Sequence, residues 1–107
     1  MRKTDKKQDN ILRETLTQAC HWALDNVDNF QWLTHKVKYT NFPASLVIVC
    51  VFDTQTHLNQ FIQSSAKQAL INQIQSKLSE NGIELKNIAK HIQFDSEAAC
   101  ESNHGGN

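Results

Sequence analysis

Two stretches of the chain close on the same chemistry. Val51-Phe52-Asp53-Thr54 and Gln93-Phe94-Asp95-Ser96 each end with a phenylalanine, a carboxylate and a hydroxyl. Hydrolytic chemistry requires carboxylates that converge, on a metal or on water, with an imidazole or amine to move a proton. Asp53, Asp95 and Glu97 supply carboxylates, His57 stands one helical turn beyond Asp53, and His91 lies just upstream of Asp95. The candidate acidic site is therefore Asp53, His57 and Asp95, and it assembles only if the strands ending at the two aspartates run parallel. The structural reading of the same strings is capping, in which an Asp, Ser or Thr oxygen accepts the free N–H groups of a helix's first turn. Capping is the stronger reading. Any α/β arrangement places polar residues at strand ends, and neither a paired His-Glu motif nor a Gly-rich phosphate loop is present. No catalytic residue is assigned.

Cys100-x-x-x-His104, joined by Cys20-His21, has the ligand types of a tetrahedral zinc site. Against it, Cys20 falls on the apolar face of a predicted helix, and a Cys-His pair adjacent in sequence does not normally hold one metal. No metal or cofactor is expected. Cys50 lies inside an apolar run, whereas a reactive thiolate needs electropositive, partly exposed surroundings. The three cysteines are widely spaced and odd in number, which fits reduced thiols better than a disulfide framework.

Nucleic-acid binding rests on Lys36, Lys38, Trp32 and Tyr39, with Trp22 and Phe42 as further stacking surfaces and Arg2, Lys3, Lys6 and Lys7 as a basic N-terminal cluster. Lysines along an exposed strand beside aromatic rings suit a single strand. The bland reading is that the lysines protect a sheet edge from aggregation while the rings belong to the core. Eleven basic residues balance eleven acidic ones, so no overall field draws the molecule to nucleic acid or an anionic membrane, and the bland reading is favoured.

These residues must be positioned by a small set of elements. From Asp9 to Val27, Leu12, Leu16, Ala19, Cys20, Ala23 and Val27 recur at helical steps, with Arg13, Glu14, Thr17, Gln18 and Asp25 on the other face. Phe30 to Thr40 alternates as a half-exposed strand. Leu46-Val47-Ile48-Val49-Cys50-Val51-Phe52 is apolar throughout and reads as a central strand covered on both faces. A long helix is predicted from Gln55 to Glu80, stopped by Asn81-Gly82. Ile88, Ile92 and Phe94 indicate a third strand, and a short helix is predicted from Asp95 to Cys100. The fold class is α+β, a two-layer sandwich of order α-β-β-α-β-α, with a three-stranded sheet and helices mainly on one face.

At 107 residues the chain has room for one domain, residues 1–107. Residues 1–8 are expected as a charged mobile N-terminus and residues 101–107 as a mobile tail. Met1 to Asn10 carries no apolar run, which argues against a secretory leader, and no stretch approaches the ~20 apolar residues of a membrane helix. A cytoplasmic location is the expectation. The doubly apolar central strand asks for a second cover, from the terminal helix or from another copy of the chain, so a homodimer is expected.

Phe30-Gln31-Trp32-Leu33-Thr34-His35 and Phe42-Pro43-Ala44-Ser45 leading into Leu46 to Thr54 resemble a family of short uncharacterised bacterial proteins. The resemblance covers most of the chain and implies a bacterial cytoplasmic origin; it brings no catalytic or binding residue. The reading that emerges is a non-enzymatic protein-interaction or regulatory module with an unknown protein partner. A nucleic-acid-binding protein is the alternative, and a metal-dependent hydrolase using Asp53 and Asp95 the third.

Overall fold

The computed structural model describes residues 3–97. Helix α1 spans Lys3–Asn26. Its stripe of Leu12, Leu16, Ala19, Ala23 and the following Val27 is buried as the spacing requires. Thr15 joins that stripe, and its hydroxyl donates to the Ile11 carbonyl at 2.7 Å, so the buried polar atom is satisfied within the helix. The helix starts at Lys3, well ahead of Asp9, and from there on the charged N-terminal residues form its first turns.

Strand β1 (Phe30–Lys36) pairs antiparallel with β2 (Val47–Phe52), with an irregularity between Phe30 and Trp32. The predicted strand ran to Thr40; instead Tyr39–Asn41 form a 3-10 turn. Ser45 clamps this connection by accepting from the Lys38 N–H at 2.8 Å and donating to the Lys38 carbonyl at 2.9 Å.

The predicted helix over 55–80 is two helices, α2 (Gln55–Ile62) and α3 (Ser65–Glu80). At about 100° per residue, Leu58 and Phe61 would leave a continuous helix on one side and Leu70, Ile74 and Leu78 on roughly the opposite side. All five are buried in one core, so the axis must turn between the two groups. Ser64 makes the turn: it caps α3 by accepting from the Ala66 N–H at 3.2 Å and donates to the Phe61 carbonyl at 2.8 Å. Gly82, at φ 82°, ends α3, with the Ile83 N–H returning to the Leu78 carbonyl at 2.8 Å.

The following segment buries Ile83, Leu85 and Ile88. Ile88–His91 form a second 3-10 turn, so the third strand begins only at Ile92. Strand β3 (Ile92–Ser96) lies parallel to β2, and the sheet order is β1-β2-β3. Asp95 and Ser96 belong to this strand, not to a helix. Glu97 is helical, while residues 98–100 of the predicted terminal helix and the tail 101–107 lie outside the described residues.

Ile48, Cys50 and Phe52 of β2 join the apolar stripes of all three helices in a single core. Register places Leu33 and Phe94 beside Cys50 on that face, and Trp32, Val49 and Gln93 on the other. On the outer face Val51 is fully buried, Val47 and Val49 partly so, and Trp32 remains 39% exposed. This is the expected two-layer α+β architecture, with the outer face of β2 less completely covered than its uniform apolar sequence suggests. No described helix is long and apolar enough to cross a membrane.

Candidate functional site

The parallel pairing of β2 and β3 brings Asp53 and Asp95 to the same end of the sheet, with Asp95 opposite Val51 and Ser96 opposite Phe52. Each accepts from the amide of the residue that follows it. Asp53 accepts from the Thr54 N–H at 2.7 Å, Thr54 caps α2 by accepting from the His57 N–H at 3.1 Å, and Asp95 accepts from the Ser96 N–H at 2.8 Å. His57 Nδ1 lies 2.9 and 3.1 Å from the two Asp53 oxygens. Because a carboxylate only accepts, Nδ1 carries the proton there. This hydrogen bond, ahead of the one from the Thr54 amide, holds the Asp53 carboxyl below its ordinary range against the opposing effect of desolvation.

His57 lines a hollow of about 230 Å³ with Asn26, Asn29, Gln60 and Ser64, but neither aspartate lines it. Ser64 is engaged as a helix cap. Among the described residues no group of three or more His, Cys, Asp or Glu side chains is placed to hold a metal ion.

The four residues considered for nucleic acid separate. Trp32 and Lys36 share the outer face of β1. Lys38 is exposed at the start of the first 3-10 turn. Tyr39 turns toward α1, stacked on Phe42 at 5.6 Å and donating its hydroxyl to Asp9 at 2.6 Å.

A groove of about 390 Å³ lies between α1 and β1. Its floor is Leu16, Cys20 and Leu33, and its rim is Arg13, Thr17 and His21 from the helix and Thr34 and His35 from the strand. Arg13, Thr17 and His21 recur every fourth residue and so form one row on α1. Asp9 anchors the row, accepting from Arg13 Nε at 2.9 Å and from the Tyr39 hydroxyl. Thr17 donates to the Arg13 carbonyl at 2.8 Å, which leaves its oxygen able to accept. His35 is half-buried, and desolvation, opposed by Asp9 and reinforced by Arg13, lowers its pKa below the ordinary histidine value.

Sequence reasoning placed Arg13 and Thr17 on the solvent side of α1 and read Cys20 as core. The available signal was the four-residue spacing of Arg13, Thr17 and His21, but nothing local says that a strand lies beside that row. Cys20 and His21, considered as zinc ligands, line this groove instead, while Cys100 and His104 lie outside the described residues. Cys50 is buried, and desolvation, with Cys20 nearby, pushes its thiol up to about 12. It is buried in the core, as its place in an apolar run suggested.

Comparison with protein-family models, with curated proteins and with solved structures finds no match.

Proposed function

We propose that this chain is a non-enzymatic protein-interaction module that recruits an extended segment of a partner protein by strand addition at β1. The observation carrying this reading is the seven-residue edge strand β1 with the α1 groove beside it. An edge strand presents unpaired N–H and C=O groups, and a peptide laid along it completes their hydrogen bonds while alternate side chains enter an adjoining groove. The other edge strand, β3, is shorter at five residues. The separation of Tyr39 from Trp32 and Lys36, and the place of His57 in a hollow that neither Asp53 nor Asp95 lines, favour this reading over the nucleic-acid and hydrolase alternatives.

The test is residue-resolved amide hydrogen exchange with and without a nine-residue peptide alternating valine and glutamine. Slower exchange within Phe30–Lys36, with β3 unchanged, is the expected result. Unchanged β1 exchange at saturating peptide would overturn the reading. So would a stable dimer by light scattering whose β1 amides are already protected without peptide, because the edge would then belong to a second copy of the chain.

A further inference from the structure

We infer that the segment recruited at β1 is acidic, carrying a carboxylate that the Arg13 end of the groove receives. The inference rests on the strand-addition reading and adds the partner's chemistry to it. Arg13 and the two imidazoles of His21 and His35 line the groove, and among the described residues no carboxylate does. Asp9, the nearby acid, is only 16% exposed and is already engaged by Arg13 Nε and the Tyr39 hydroxyl.

That engagement orients Arg13 without consuming it. Its side chain is 71% exposed, and the bond to Asp9 uses Nε, so the terminal amino groups still present a planar fork. A carboxylate matches that fork with two parallel hydrogen bonds, a geometry that lysine cannot reproduce. Thr17 and Thr34 line the same groove, and Leu16 and Leu33 give an apolar floor for a neighbouring aliphatic side chain. The occupant that satisfies all of these is an extended strand with an aliphatic residue over the floor and a glutamate or aspartate at the Arg13 end. A basic segment would set its charge against Arg13 with no acid lining the groove to receive it.

The experiment compares three fluorescein-labelled nine-residue peptides, otherwise threonine, with valine at one position and glutamate, glutamine or lysine two residues away so that both side chains fall on one face of the strand, by fluorescence anisotropy on the full chain. The glutamate peptide should bind about tenfold more tightly than the glutamine peptide, with lysine weakest. Arg13→Gln should bring glutamate and glutamine within about threefold of each other, and Arg13→Lys should restore only part of the preference. Circular dichroism confirms that each variant is folded; Arg13 is exposed, and its change leaves the core intact. Equal binding of all three peptides would overturn the acidic preference and leave strand addition standing. A glutamate preference that survives Arg13→Gln would overturn the role of Arg13. Absence of binding by every peptide would remove the strand-addition reading and this inference with it.

Discussion

His35 lies half-buried on the helix-facing side of β1, opposite Ile48. Desolvation lowers its pKa, Asp9 opposes that shift, and Arg13 reinforces it. The unfolded chain therefore binds more protons than the folded one between the folded pKa and the ordinary value near 6.5. This contribution is fully present above that window and is lost as pH falls through it. His35→Gln should flatten the fall in urea midpoint between about pH 7.5 and pH 5.5 relative to the parent; an unchanged slope would assign the pH dependence to the other histidines. Asp53 has linkage of the same sign in a lower pH window. Its depressed pKa, set mainly by His57, adds stability that disappears only as pH falls through the carboxylate range.

At the scale of elements, the break between α2 and α3 is the feature on which the core depends. Ser64 holds it with two hydrogen bonds, and without that turn Leu58 and Phe61 would face away from Leu70, Ile74 and Leu78. Ser64→Ala removes the cap of α3 and should cost about 1 kcal/mol by denaturant unfolding, with secondary structure unchanged by circular dichroism. A loss below about 0.3 kcal/mol would mean that packing alone holds the break. The join between α3 and β3 behaves differently. There Gly82 supplies the left-handed angle, and Ile83, Leu85 and Ile88 bury themselves, so the connection is itself part of the core.

At the scale of the molecule, one core binds the three helices to one face of the sheet. Phe52 stands at its centre, fully buried, 5.9 Å from the Phe30 ring and 4.5 Å from that of Phe61. Phe52→Ala should cost about 3–5 kcal/mol, a large share of the 5–15 kcal/mol typical of such domains. With a single core, tryptophan fluorescence and circular dichroism should report one shared transition; two separated transitions would show that part of the chain folds independently. Trp32→Ala on the exposed outer face should cost much less, because the ring retains 39% of its exposure.

The sequence by itself carried what local periodicity can carry. The stripe of Leu12, Leu16, Ala19 and Ala23 specifies a helix and its inward face, and the β-branched run of β2 specifies a central strand. The break at Ser64 was missed in a predicted single helix over 55–80, although Leu58 and Phe61 are out of phase with Leu70, Ile74 and Leu78. Ile83 and Leu85 gave no such signal, because a segment without regular structure has no period to read. Periodicity states which side of an element is apolar and leaves open which element that side meets. The parallel pairing of β3 with β2, the bond from Tyr39 to Asp9 and the groove between Arg13 and His35 therefore follow from packing. The groove joins residues far apart in the chain, and only the tertiary structure brings the row on α1 alongside the edge of β1.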